Sequence, residues 1–206
     1  MSYQTEQEKF WAGDFGDSYT DRNDGERLLF QKQHYLMKAF SHAADIHSVL
    51  ELGCNKGLNL RALSAIMPGL QMEGVEINEK AAKECSLVPG VKVINQSIYD
   101  YSVKENQFDL SFTCGVLIHI APEKLPIVYD ILYRSSKRYI FINEYYNPTP
   151  VEVVYRGNTG KLFKRDFAGE MMDKYPALKL LDYGFIYHRD NYCPQDDCTW
   201  FLMEKR

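Results

Sequence analysis

Val49-Leu50-Glu51-Leu52-Gly53-Cys54-Asn55-Lys56-Gly57 is the stretch whose reading decides the fold. A short apolar run passes into a turn punctuated by glycines, and a helical pattern follows. Gly53 and Gly57 carry no Cβ, so the backbone there can approach a ligand closely. The spacing is Glu-x-Gly-x-x-x-Gly. It does not fit the dinucleotide fingerprint Gly-x-Gly-x-x-Gly, because Glu51 stands where the first glycine belongs. A turn of this kind also occurs as a plain tight connection, so the decision rests on what surrounds it.

Outward from the turn the chain alternates at α/β spacing. Apolar strand runs fall at 48–52, 71–77, 91–95, 108–113 and 139–143. Leu60, Leu63 and Met67 repeat at helical spacing and stop at Pro68-Gly69. A second helix is expected from Pro122 to about Ser135, with Leu125, Val128, Ile131 and Leu132 on one face and Pro122 suited to the first turn. Near-continuous apolar strands separated by helices predict a parallel sheet covered on both faces. Upstream, 4–11 and 25–42 read as helices, and the Trp-, Gly-, Asp- and Tyr-rich segment between them reads as a lid. After residue 147 the rhythm breaks. A helix is expected at 164–174, then two strands at 178–187 and 199–204 joined by a polar loop, which predicts an antiparallel pair. The expected organisation is a single domain over 1–206: a helical lid or cap at 1–47, a binding core at 48–146, and a substrate-side insertion with a closing hairpin at 147–206.

Composition bounds the partners. A chain of 206 residues with 45% hydrophobic residues can bury a core, and the formal net charge of −4 with no long basic run argues against a nucleic-acid partner. Cys54, Cys85, Cys114, Cys193 and Cys198 form no framework of closely spaced pairs. Cys193 and Cys198 are at most half a zinc site, so no metal is expected. Reduced thiols, a polar acidic start and no apolar run of membrane-spanning length predict a cytoplasmic protein without a membrane partner. It is expected to be a monomer or homodimer.

Open α/β sheets bind ligands beyond the carboxyl ends of their strands. Glu76 ends the second strand, where a carboxylate can accept hydrogen bonds from both ribose hydroxyls of a nucleoside. Gln96-Ser97-Ile98 follows the third strand, with polar and apolar groups suited to an adenine edge and face. Cys114-Gly115-Val116 and His119 follow the fourth.

Together these elements, over roughly 45–145, resemble the class I S-adenosylmethionine-dependent methyltransferases. The resemblance implies a Rossmann-like α/β sandwich with a seven-stranded, mostly parallel sheet of order 3-2-1-4-5-7-6, an antiparallel last strand, and a helical N-terminal extension. It implies S-adenosyl-L-methionine as cofactor and S-adenosyl-L-homocysteine as product. The implied cofactor contacts are Glu51, Gly53, Cys54, Asn55, Gly57, Leu58, Glu76, Ile77, Gln96, Ser97, Ile98, Cys114, Gly115, Val116 and His119. Ser97 departs from the pattern, since that family often has Asp there contacting the adenine amino group.

A narrower resemblance covers nearly the whole chain. Phe10-Trp11-Ala12-Gly13-Asp14-Phe15-Gly16-Asp17-Ser18-Tyr19, Arg22-Asn23, Glu51 to Gly57, and Tyr155-Arg156-Gly157 with Lys161-Leu162-Phe163-Lys164-Arg165-Asp166-Phe167 look like the pseudaminic acid biosynthesis-associated methylases. That family is named for its genomic setting, which implies a neighbourhood of acidic nine-carbon sugars. It implies a cofactor lid containing Trp11, Tyr19, Arg22 and Asn23, and a substrate side containing Tyr155 and Arg156.

His119 is the first candidate base, or a histidine that only shapes the pocket. Glu144 and Tyr145 end the fifth strand and are candidates to orient or deprotonate the acceptor. Tyr146, Tyr155, Arg156 and Lys161 are candidates to bind it, with Arg156 suited to a carboxylate or phosphate. The expected activity is methyl transfer to a small, anionic or sugar-related acceptor. A protein or RNA methyltransferase and a non-catalytic S-adenosylmethionine-binding protein are the alternatives.

Overall fold

Every residue of the strand Ser48–Leu52 (β1) is buried, so it needs a neighbour on each edge and cover on each face. The computed structural model, which describes residues 3–22 and 25–206, supplies both. On one edge β1 pairs in parallel with Gln71–Glu76 (β2), which pairs with Val91–Asn95 (β3). On the other edge it pairs with Phe108–Cys114 (β4), which pairs with Ser136–Glu144 (β5). Two very short strands, Val151–Glu152 (β6) and Phe163–Lys164 (β7), form a separate antiparallel pair. The last strands, Leu178–Ile186 (β8) and Cys198–Lys205 (β9), complete the main sheet. Its order is β3-β2-β1-β4-β5-β9-β8, and β9 runs antiparallel to both neighbours. With the two short strands set aside, this is the expected 3-2-1-4-5-7-6 sheet with its antiparallel last strand.

Alternation along the strands divides the core into two layers. Val49, Leu110, Phe112, Phe141 and Leu202 face Glu26–Ala39 (α3) and Leu58–Ile66 (α4), where Leu36, Leu60 and Leu63 are fully buried. Leu50, Leu52, Ile140, Ile142 and Met203 face Leu125–Ser135 (α6) and Phe167–Lys174 (α7). A further helix, Glu79–Cys85 (α5), lies between β2 and β3 and was not read from the sequence.

The irregular-looking segment before α3 is more regular than expected. Glu6–Ala12 (α1) and Asp14–Arg22 (α2) are both helices. Thr5 and Glu8 form a reciprocal capping box at the start of α1. The helix expected at 164–174 starts at Phe167, because Phe163 and Lys164 pair with β6 and the Asp166 carboxylate caps the Gly169 N–H at 2.9 Å. Contacts tie α1 to the far side of the sheet ends. Gln7 donates to the Gly160 carbonyl at 2.8 Å, and Lys161 Nζ donates to the Glu6 carbonyl at 3.1 Å. Among the described residues no helix is long and apolar enough to cross a membrane.

Candidate active site

The Gly53 turn has the geometry its residues demand. Gly53 has φ +71°, and a Cβ there would lie 2.5 Å from Val116 Cγ2, so no other residue fits without displacing Val116. Gly57 has φ +79°, and a Cβ there would lie 2.7 Å from Cys85 Sγ. Gly115 is also left-handed, at φ +67°, and faces open space. The Gly53 and Gly115 turns bound an inner cavity of about 130 Å³ beyond the carboxyl ends of β1, β2 and β4.

Glu76 lines that cavity. Its Oε2 accepts the Asn55 N–H and its Oε1 accepts the Asn78 N–H, both at 2.8 Å. The two bonds fix the carboxylate in place and leave each oxygen a lone pair for a ligand hydroxyl. Burial raises its pKa above the ordinary value, against the pull of those backbone bonds. The lid is fastened to the same spot. Asn78 Nδ2 donates to Asp17 Oδ1 of α2 at 2.7 Å, and Asn55 Nδ2 donates to Thr20 Oγ1 at 3.3 Å.

A larger cavity of about 630 Å³ opens beside the first. Tyr19, Gly53, Asn55, Cys114, Gly115 and His119 line both, and so form the passage between them. His119 Nδ1 is 2.6 Å from the Lys161 carbonyl oxygen. A carbonyl only accepts, so Nδ1 carries the hydrogen and Nε2 keeps its lone pair. Burial lowers the pKa to about 4, so the ring is neutral at physiological pH. Trp11 and Tyr155 pack on it with ring centroids at 4.6 and 5.0 Å. The outer cavity also has Arg22, Lys32 and Arg156 in its lining, from α2, α3 and the turn between β6 and β7. None of the three makes an ion pair with a described residue. The lining acid, Asp196, accepts the Tyr145 hydroxyl at 2.8 Å.

The site residues expected from the sequence divide accordingly. Trp11, Tyr19, Gly53, Asn55, Glu76, Ile77, Ser97, Ile98, Cys114, Gly115, Val116 and His119 line the inner cavity. Arg22, Cys54 and Leu58, expected at the cofactor, line the outer cavity instead, where Tyr145, Tyr155 and Arg156 also lie. Asn23 lies outside the described residues.

Other expected residues line neither cavity, each for a visible reason. Glu144 was expected as a catalytic group. Its buried carboxylate accepts the N–H groups of Val116, Leu117 and Ile118 at 3.0, 3.1 and 3.4 Å, so it positions the turn that carries His119. Tyr146, expected at the substrate, is 41% exposed and turns toward Phe201, with ring centroids 6.0 Å apart. The Lys161 side chain is occupied by the Glu6 carbonyl. Glu51 is fully buried, with Oε1 accepting Asn59 Nδ2 at 2.6 Å. Gly57 packs on Cys85, and the Gln96 N–H donates to the Glu76 carbonyl at 3.0 Å. Glu8, Asn78 and Tyr99 at the inner cavity and Gln31, Lys32, Asn59 and Asp196 at the outer one were not anticipated. The Thr5-x-x-Glu8 capping signature is legible in the sequence, but nothing local says that Glu8 also meets a cavity.

Residues 49–138, from β1 into β5, match a family described as a methyltransferase domain. The whole chain is similar in structure to 1,6-didemethyltoxoflavin-N1-methyltransferase from Burkholderia thailandensis, solved with 1,6-didemethyltoxoflavin and S-adenosylhomocysteine. The TM-score is 0.74 at 14% identity, covering 100% of this chain and 91% of that one. The fold is that of the class I methyltransferases. Magnesium protoporphyrin IX methyltransferase from Synechocystis, with bound S-adenosylhomocysteine, gives a TM-score of 0.67 at 13% identity, covering 97% of each chain. A SAM-dependent methyltransferase from Aquifex aeolicus gives 0.65 at 14% identity, covering 92% and 98%. A comparison with curated proteins finds no match. These similarities support a methyltransferase with S-adenosylmethionine as cofactor. The inner cavity of this methyltransferase fold suits that molecule. The Gly53 cradle leaves no room for a Cβ, the Glu76 carboxylate in its lining is fixed by backbone N–H groups with lone-pair capacity left, and shared lining residues join it to a second chamber.

Proposed function

We propose that this chain transfers a methyl group from S-adenosylmethionine to a small anionic acceptor bound in the outer cavity. The observation that carries the acceptor class is the set of three cations, Arg22, Lys32 and Arg156, lining one chamber without an ion-pair partner among the described residues. Lys32 is half-buried and Arg22 and Arg156 are exposed, so all three carry their charge, and the fork of an Arg donates two parallel hydrogen bonds to a carboxylate or phosphate. The narrower sequence resemblance adds a candidate of the right charge, an acidic sugar of the nonulosonic type. The free thiols of all five cysteines fit a reducing, cytoplasmic setting.

S-adenosylmethionine supplies a methyl group on a sulfonium, which an acceptor oxygen or nitrogen takes by in-line displacement. The chain's own part is chiefly alignment and exclusion of water. Gly53, Gly115 and His119 frame the passage through which donor and acceptor meet. His119 is neutral, with Nε2 available, so it can take the proton of an attacking hydroxyl without first losing one. Glu144 holds the turn that aims it. Tyr145 and Asp196 add a hydroxyl and a carboxylate to the same lining, suited to sugar hydroxyls.

The test is formation of S-adenosylhomocysteine and of a product heavier by one methyl, followed by mass spectrometry. The acceptors are a panel of carboxylated sugars set against their neutral counterparts. Turnover with acidic members only is the expected result. Donor binding without turnover on any acceptor would favour a binding protein, and turnover on proteins or RNA alone would overturn the small-acceptor reading.

A further inference from the structure

Glu8 lines the inner cavity and not the outer one. It is 7% exposed, although its chain segment is the start of the lid. Its Oε2 accepts the N–H groups of Gln4 and Thr5, at 2.5 and 3.0 Å, which completes the capping box of α1. Its Oε1 accepts the Ser97 hydroxyl. Ser97 Oγ in turn accepts the Tyr99 N–H at 3.1 Å. The carboxylate is therefore held from both sides, by the lid and by the end of β3, with lone-pair capacity remaining toward the cavity it lines.

The direction of the bound donor follows from the two chambers. The reactive end must reach the acceptor, so it lies in the passage at Gly53, Gly115 and His119. Glu76, a carboxylate fixed by two backbone N–H groups, suits the ribose hydroxyls. Gln7, Glu8, Ser97, Ile98 and Tyr99 line the inner cavity alone, so the remaining part, the base, lies against them. A carboxylate accepts only, so the edge that meets it must bring N–H groups. Ile98 offers an apolar face beside it for a flat ring.

We propose that Glu8, steadied by Ser97, is the residue that selects an amino group on the base of the cofactor. The lid helix then reads the cofactor directly, and a base carrying a carbonyl at that position is rejected by a buried acceptor facing an acceptor. This rests on the S-adenosylmethionine reading.

The experiment is calorimetric titration of the full chain with S-adenosylhomocysteine and with S-inosylhomocysteine, which replaces the 6-amino group by a carbonyl. The wild type is expected to prefer the amino ligand by at least about tenfold, the scale of one charge-assisted hydrogen bond to a buried group. In Glu8→Gln the amide can donate to the carbonyl, so the preference should shrink by about tenfold or reverse. Thr5→Ala, which removes the capping hydroxyl beside Tyr99 and leaves the Glu8 carboxylate, should weaken both ligands alike and keep the ratio. An unchanged ratio in Glu8→Gln, or equal loss of both ligands, overturns the assignment. A wild-type ratio near one overturns it even if no variant folds. Failure of the wild type to bind S-adenosylhomocysteine at all would instead bring down the methyl-donor reading, and this one with it.

Discussion

The two cavities are built on different principles. The inner one is made by the sheet: its glycine turns and Glu76 stand at the carboxyl ends of β1, β2 and β4, and backbone hydrogen bonds fix each of them. The outer one is made by closure: its cations come from α2, α3 and the turn after β6, and its far wall from the loop before β9. In the proposed function the cavity made by sheet ends takes the donor and the cavity made by closure takes the acceptor. Donor recognition and acceptor recognition should therefore separate under mutation.

The passage between the chambers should give the largest effect. His119→Ala is expected to lower kcat by about 10²–10⁴-fold while changing S-adenosylhomocysteine affinity only a few-fold, since general base catalysis is of that size. Full kcat at every pH would remove His119 from the chemistry. Gly53→Ala should do the reverse of a selective change. The left-handed backbone costs about 1–2 kcal/mol for a residue with a Cβ, and the displaced Val116 distorts the cradle. Donor affinity should fall sharply by calorimetry together with the melting temperature.

On the acceptor side, Arg156→Ala should raise the acceptor KM by about tenfold, the loss of one charge-assisted contact, with donor affinity unchanged. Equal loss of donor binding would erase the distinction between the cavities. Lys161→Ala should be the mildest at the site. Its Nζ reaches the Glu6 carbonyl and lies over the Phe10 ring, away from both cavities, so a loss of no more than about 1 kcal/mol of stability and no KM effect are expected.

Stability against pH sharpens the same contrast between groups. The folded pKa of His119, about 4, lies below the ordinary 6.5, so the unfolded chain takes the proton first. Its contribution is full above about 6.5 and is lost as the pH falls toward 4. Glu51 at about 8 and Glu144 at about 7 are raised from 4.5 by burial, so their contribution is full below 4.5 and is lost as the pH rises through 7 to 8. Between pH 6.5 and 8 only the carboxyl groups act, and the melting temperature should fall. Glu51→Gln should flatten that fall, and His119→Ala should flatten the acid limb. A rising melting temperature over that interval would contradict both carboxyl assignments.

The sheet was legible because its strands are continuous apolar runs: β1 and β3 begin and end where the runs do. β5 begins three residues earlier than its run, since Ser136, Lys137 and Arg138 look like a loop in one dimension. The inner cavity was legible because strand ends are where such sheets bind. Direction was not. Glu144, Tyr145 and Tyr146 are consecutive, and consecutive residues of a strand point opposite ways. Glu144 turned to backbone N–H groups, Tyr145 to the outer cavity and Tyr146 to Phe201, which no local pattern distinguishes. Lys32 and Asp196 were invisible for another reason. They meet only because β9 inserts between β5 and β8 and brings its preceding loop back over α3, where Gln31 Nε2 donates to the Pro194 carbonyl at 2.7 Å.

The bond between His119 and the Lys161 carbonyl ties two parts of the chain together. The ring follows β4 at the sheet ends, but the atom that chooses which of its nitrogens holds the hydrogen belongs to the segment between β6 and β7. That segment also brings Arg156 to the outer cavity. Replacing it would therefore change the lining of that cavity and the tautomer of the histidine in one step.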